Sequence, residues 1–225
     1  MPKRRQKPFT FSDGSQIIAW QASFDEAMER EEIEEAARAE KAKANGSGDP
    51  ALFYFQEMIY AGLAAASTGA VPTSEQAFRL SAEDLDGWWD AVRNANPGWY
   101  GPGELWQKDS QLSDGSTITV LSKRPSVLMR RFRLEQEVDQ QPPLASMRRE
   151  AFRVMYYPKL AGCSIGTVPS MDEARAEWPA EDLQAWYDTA REVIPEWFLH
   201  LEELVEQNRQ AAEEAEKKRK SRPRK

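Results

Sequence analysis

Two short stretches of the chain place apolar residues on both sides of an Asp-Gly pair. These are FTFSDGSQIIAW at 9–20 and QLSDGSTITVL at 111–121. Short apolar runs on either side of a turn predict paired strands, and Asp-Gly supplies the positive-φ residues of a tight turn. We therefore predict a β-hairpin in each stretch, and we interpret the repeated SDGS sequence as a turn.

Longer stretches follow the helical period. Helices are predicted over 24–44, 51–66, 126–138 and 144–157, with the first ending at the Gly-rich breaker NGSGDP. Two further helices each carry an acidic pair in the first turn, where carboxylates favour the positive end of the helix dipole. Their apolar stripes share the spacing i, i+3, i+4, i+7. The stripes are Leu85, Trp88, Trp89 and Val92, and Leu183, Trp186, Tyr187 and Ala190.

The second half of the chain aligns with the first. The segment from Tyr60, YAGLAAASTGAVPTSEQAF, matches YPKLAGCSIGTVPSMDEAR from Tyr157. With one inserted residue, 82–100 then lies over 180–198, and nine of these 19 positions are identical. A period near 100 residues is too long for a solenoid repeat and suits two copies of a small domain. The sequence therefore predicts an internal duplication.

These patterns predict an α+β fold that is predominantly α-helical. We expect two tandem homologous units, each a β-hairpin followed by about three helices. Repeat unit one covers 9–101 and repeat unit two covers 104–200. A basic tail at 1–8 precedes them, and a charged helical extension with a basic, disordered end follows at 201–225.

The net charge of −7 conceals an uneven distribution. Of the 30 Lys and Arg residues, 11 lie in 1–8 and 217–225, which leaves 19 against all 37 acidic residues in 9–216. This central region should repel nucleic acid. We interpret the basic ends as solubilising tails, with contact to an acidic protein surface or to phosphate as the alternatives. No apolar run long enough for a bilayer occurs, so we expect a cytoplasmic protein without a membrane partner.

Sequence motifs for catalysis are missing. The chain contains no phosphate-binding Gly-rich loop, no HExxH, no CxxC and no GxSxG. Its one cysteine and one histidine, Cys163 and His200, are interpreted as a small packing residue and a helix residue. The Glu83-Asp84 and Glu181-Asp182 pairs are expected to cap helices. We therefore predict a protein that is not an enzyme and has neither a metal site nor a cofactor.

Aromatic residues offer the best candidates for binding. The chain has eight Trp residues, and adjacent rings on a helix point about 100° apart, so one can face the core while the other reaches the surface. The alternative is that all of them anchor small cores. The candidate client-binding residues are Trp88, Trp89, Trp99, Trp186, Tyr187 and Trp197.

A resemblance to a known family emerges from two stretches of the second half. They are LSDGSTITVLSKRPSVLM at 112–129 and YYPKLAGCSIGTVPSMDEARAEWPAEDLQAWYDTAREVIPEWF at 156–198. The hairpin, the Val-Pro turn, the E-D-L-x-x-W-Y helix and the closing P-x-W-F resemble small proteins encoded among the tail genes of tailed bacteriophages, described as tail assembly chaperones. The likeness covers about 90 residues of the second copy and, more weakly, the same elements of the first.

This resemblance implies an assembly factor, acting in the host cytoplasm, that keeps the tape-measure protein soluble during tail assembly. Two alternatives stay open: a structural component of a tail or related particle, and a nucleic-acid-associated regulator that acts through the basic ends. The expected partner is a protein, either the tape-measure protein or another tail component, and the oligomeric state is open.

Overall fold

The structure, a computed structural model, describes residues 4–44, 47–97 and 107–199. Over these residues it is an α+β protein with two three-stranded antiparallel sheets. The chain forms two compact units, Met1–Leu105 with Lys123–Arg133, and Trp106–Ser122 with Leu134–Lys225. The placement of 123–133 in unit one departs from the continuous repeat bounds expected from the sequence.

The sheet of unit one begins with β1 (Gln6–Thr10) and β2 (Gln16–Trp20), which pair in register from Gln6 with Trp20 to Thr10 with Gln16. The turn between them contains the predicted Asp-Gly pair, and Gly14 has a φ of 86°. A third strand, β3 (Ser67–Gly69), pairs with the other side of β2. This strand was not predicted from the sequence.

The longer helical segments of unit one occur in the predicted regions, whereas the short helix at Ser74–Phe78 was not predicted. Helix α1 spans Phe24–Ala44, as predicted. The predicted 51–66 helix is a continuous helical segment with a π-helical turn inside it, made of α2 (Pro50–Phe55), the turn Gln56–Tyr60 and α3 (Ala61–Ala65). Two more follow, α4 (Ser74–Phe78) and α5 (Ala82–Ala95).

Unit two contains the same order of strands. Its sheet consists of β4 (Gln107–Gln111), β5 (Thr117–Leu121) and β6 (Ser164–Gly166), with β5 in the centre. Helix α6 (Pro125–Asp139) begins in the segment that belongs to unit one. The remaining elements are α7 (Met147–Ala151), a π-helical turn at Phe152–Tyr156, α8 (Tyr157–Gly162), α9 (Met171–Ala176), α10 (Ala180–Val193) and a 3-10 turn at Pro195–Trp197.

Each core lies between the sheet and one helix, which we call the Trp-bearing helix. This helix is α5, with Trp88, in unit one and α10, with Trp186, in unit two. Helix α5 packs on β1 and β2, and α10 packs on β4 and β5. Strand β2 buries Ile17 and Ala19 and exposes Gln16 and Ile18, as a half-buried strand should. Among the described residues, fully buried large side chains include Ile17, Phe55, Ile59, Leu63, Trp88 and Val92 in unit one, and Ile118, Val120, Leu160, Trp186, Ile194 and Phe198 in unit two.

The third strand of each sheet requires a glycine. Gly69 and Gly166 have φ of 100° and 94°, and a Cβ at either position would lie 2.9 Å from a backbone carbonyl oxygen of the central strand. A positive φ is strained for residues with a Cβ, and the close carbonyl leaves no space for one. These glycines allow the chain to leave the edge strand toward the Val-Pro turn.

The SDGS turn is bonded to the first turn of the Trp-bearing helix in each unit. In unit one the Ser12 amide and hydroxyl donate to the two carboxylate oxygens of Asp84 at 2.8 and 2.6 Å. In unit two Ser113 donates to Asp182 at 2.8 and 2.7 Å. The hydrogen bonds from Ser12 hold the pKa of Asp84 below its usual range. Each carboxylate therefore joins two segments about 70 residues apart in the sequence. This is an additional role to the helix capping that was expected from the sequence.

Replacing either carboxylate should destabilise its unit. We expect Asp84→Ala and Asp182→Ala each to lower the free energy of unfolding by about 1–3 kcal/mol, because two donors on the turn lose a charged acceptor. Urea unfolding followed by Trp fluorescence measures this loss.

The neighbouring Glu83 and Glu181 provide matched controls, because both are exposed and lie in the same first turns. Their replacement by Ala removes only an attraction to the helix dipole, worth about 0.3–1 kcal/mol. If the Asp and the neighbouring Glu substitution in one unit lowered the free energy of unfolding equally, the hydrogen bonds to the SDGS turn would contribute nothing to stability.

Candidate interaction surfaces

The aromatic residues predicted to bind a client lie mainly in the cores. Trp88 and Trp186 are fully buried, and Trp89 and Trp197 are 4% and 6% exposed. The indole nitrogens of Trp88 and Trp186 donate to the hydroxyls of Ser67 and Ser164 at 2.9 and 2.8 Å. These four rings therefore present no client surface, and their role in the structure is packing.

The remaining two candidates differ. Tyr187 is half-buried and its ring packs edge-on against Phe198 at 5.3 Å and near Tyr156 at 5.9 Å. Trp99 lies outside the described residues. The expectation that one ring of the WW pair reaches the surface is wrong for Trp88 and Trp89, since both are buried.

A different surface of unit one binds a helix. Residues 123–133 contain the first two turns of α6, and their helical N-terminus is capped by Asp86 of α5. The Ser126 amide and hydroxyl donate to the two Asp86 carboxylate oxygens at 2.9 and 2.6 Å. A carboxylate at this position satisfies a free N–H of the first turn and complements the helix dipole. The α5 face thus recognises the start of a helix.

Aromatic stacking holds the same segment further along. The rings of Tyr54, on α2, and Phe132, on α6, are 4.5 Å apart and nearly parallel at 16°. Stacked pairs of this kind contribute about 0.5–1.5 kcal/mol beyond the burial of their area. The polar cap and the stacked ring together fix the direction of the bound helix.

Charge complements these contacts. Residues 123–133 carry five basic residues and no acidic one, whereas α5 presents Asp86 and Asp90. Arg124 lies close enough to both carboxylates to influence them, and Arg130 to Asp86. Burial nevertheless raises the pKa of both Asp86 and Asp90 above the usual range, against the opposing effect of these arginines. The surface is an acidic, partly desolvated site for a basic helix.

This site was not predicted from the sequence. Asp90 and Arg93, three residues apart on α5, are both half-buried, and their charged groups are 3.7 Å apart. The Asp90 Oδ1 and Arg93 Nε atoms are buried without a hydrogen bond. The available signal was the segment KRPSVLMRRFR itself, a proline-initiated basic helix in a predominantly acidic chain.

Other large apolar side chains are exposed in both units. In unit one Phe24 is 77% and Met58 54% exposed, and in unit two Met147 is 87% exposed. Phe24 and Met28 lie one turn apart at the start of α1. Scattered exposed apolar residues are normal on protein surfaces, so these positions by themselves do not indicate a site.

Neither a cluster of metal ligands nor a membrane-spanning helix is found among the described residues. Within them, no group of three or more His, Cys, Asp and Glu side chains is arranged to hold a metal ion. No described helix combines the length and apolar character needed to cross a bilayer. Cys163 is buried in the core of unit two, while His200 and the predicted extension at 201–225 lie outside the described residues.

Comparisons with protein-family models, curated proteins and solved structures found no match to this chain. The interpretation of the surfaces therefore depends on the residues and their geometry.

The raised pKa of Asp86 should make the stability of unit one depend on pH. A carboxyl whose pKa is higher in the folded state binds more protons there, so the unfolding free energy falls as pH rises from about 4 to the folded pKa. The stability of wild type relative to Asp86→Asn should therefore be greater at pH 4 than at pH 7. Urea unfolding at both values tests this difference, with Glu83→Gln as control.

A constant difference between wild type and Asp86→Asn, or one that grows with pH, would contradict a desolvated carboxyl at this position.

A double-mutant cycle tests the stack between Tyr54 and Phe132. We expect the two Ala substitutions to be non-additive, with a coupling of about 0.5–1.5 kcal/mol in the free energy of unfolding. A cycle between Phe132 and Phe9, which packs against Phe11 at the hairpin, should be additive. Additive effects for Tyr54 and Phe132 would mean that 123–133 does not rest on α2 in solution.

Proposed function

We propose that the chain is a non-catalytic adaptor that binds helical segments of a protein partner and acts as a phage tail assembly chaperone for the tape-measure protein. The observation that carries the proposal is the surface of unit one formed by α5 and α2, which holds a basic amphipathic helix through Asp86 and Tyr54. A surface that recognises the start, the charge and an aromatic residue of a helix suits a helical client.

We also infer that the two units are tandem copies of one domain. Beyond the repeated sequence, matched hydrogen bonds support the inference. The Tyr60 and Tyr157 hydroxyls both donate to a proline carbonyl 12 residues later at 3.0 Å. The next helix begins in both units with a capping box, formed by Thr73 with Gln76 and by Ser170 with Glu173.

Two copies on one chain suit a long, repetitive client. Binding of one copy raises the effective concentration of the other along the same partner, which increases overall affinity without any new type of contact. The acidic central region of the sequence favours basic client segments and disfavours nucleic acid. Action in the host cytoplasm, before the particle is complete, is the setting that the resemblance implies.

Co-expression with the tape-measure protein of the same genome tests the proposed function. We expect the chain to co-elute with the tape-measure protein, to increase its soluble fraction, and to dissociate as salt is raised. Salt sensitivity follows from the acidic surface and the basic client segments.

The chain should also be missing from purified mature particles. Its recovery there in stoichiometric amount would contradict the chaperone and support the alternative of a structural component. Failure to co-elute, combined with a salt-dependent shift of DNA, would support the regulator instead.

A further inference from the structure

We propose that the outer face of α10 in unit two docks a basic, N-capped amphipathic helix of a protein partner. Glu181, Gln184 and Asp188 lie on this face at the helical spacing i, i+3, i+7, and all three are exposed. This inference rests on the proposed adaptor function, because it takes the ligand to be a helix of a protein partner. It adds the docking surface on the chain and the chemistry of the helix that binds there.

The location follows from the correspondence between α10 and α5. At the repeat offset of 98 residues, Gln184 corresponds to Asp86 and Asp188 to Asp90. Asp86 and Asp90 are half-buried where 123–133 approaches α5, whereas Gln184 and Asp188 are exposed. Equivalent positions of α5 and α10 thus lie against a helix in unit one and are exposed in unit two.

Of the two corresponding positions on the helix, one keeps its residue, as Asp90 and Asp188 show, and the other changes. Gln184 offers a side-chain carbonyl oxygen where Asp86 offers a carboxylate, and both are acceptors for the N–H groups that begin a helix. The Gln184 amide donates to Asp188 at 2.9 Å, which orients both side chains. With Glu181 and Asp188 the face stays acidic, so the complementary helix is basic, as residues 123–133 are.

A second copy of the chain fits this face poorly. In unit one the helix that follows β2 is α1, just as α6 follows β5. Trp20 and Leu121 occupy equivalent positions at the ends of these strands, because their amides donate to the carbonyls of Ala66 and Cys163. Counted from these residues, α1 has Asp25 and Glu29 where α6 has Ser126 and Arg130. Docking of α1 on α10 would bring acid against acid, and residues 123–133 are already held by unit one.

The test uses the full chain and a fluorescent peptide with the sequence of residues 121–139, whose chemistry is that of the proposed ligand. We expect saturable one-to-one binding in an anisotropy titration. The double variant Gln184→Arg with Asp188→Arg should weaken the binding about tenfold or more, because it places two cations against a basic helix. Glu137→Arg, an exposed change of the same kind elsewhere in unit two, is the matched control and should bind as wild type does.

Asp86→Ala separates docking on α10 from exchange with the helix already bound to unit one. Peptide affinity unchanged by Asp86→Ala and reduced by the α10 variant supports the proposal. The reverse pattern, or no binding to a wild-type chain of native circular dichroism, overturns it. A peptide with Arg130, Arg131 and Arg133 replaced by Glu should not bind, and equal binding would overturn the basic chemistry.

Self-association of the chain through this face would also contradict the proposal. If the wild-type chain forms oligomers that Asp188→Arg disperses, the face belongs to a second copy and the proposal is wrong. Co-elution with the tape-measure protein that survives the α10 variant would overturn this docking site and leave the adaptor function in place. Peptide binding without such co-elution would support the site and contradict the identity of the client.

Discussion

The bond between the SDGS turn and the Trp-bearing helix is the interaction on which each unit depends. One carboxylate accepts both the amide and the hydroxyl of the turn serine, Ser12 in unit one. Because helix α5 is fixed at its first turn, Trp88 enters the core and its indole reaches Ser67 at the start of the third strand. Hairpin, helix and edge strand, which are distant in sequence, are thereby held in one arrangement.

This arrangement also determines which face of the helix is available for binding. The side that carries Trp88 and Val92 is buried against the sheet, so the side that carries Asp86 and Asp90 points away from it. Two acidic residues one turn apart are well placed to receive the positive end of a basic helix. Recognition is therefore a property of the polar face, and the aromatic residues contribute by holding that face in position.

The sequence predicted local structure better than long-range contacts. Period and turn chemistry located the hairpins and α1 because these features involve neighbouring residues. The third strands were not predicted, since three residues such as Ser67–Gly69 form a strand only by pairing with β2. Asp84 was expected to cap its own helix, because its bond to a serine 72 residues earlier leaves no local pattern. Burial of both Trp88 and Trp89 depends on packing from several elements, which helical spacing alone does not reveal.

The inferred duplication separates the residues that build the domain from those that distinguish its copies. Asp84, Trp88 and Gly69 have identical counterparts in Asp182, Trp186 and Gly166, and all of them make contacts inside their own unit. Asp86 and its counterpart Gln184 differ, and they lie on the outer face. Since these interior contacts recur in both units, a difference in what the units bind is expected to come from such outward positions. Comparison of the two halves thus directs the search for function to the polar face of the Trp-bearing helix.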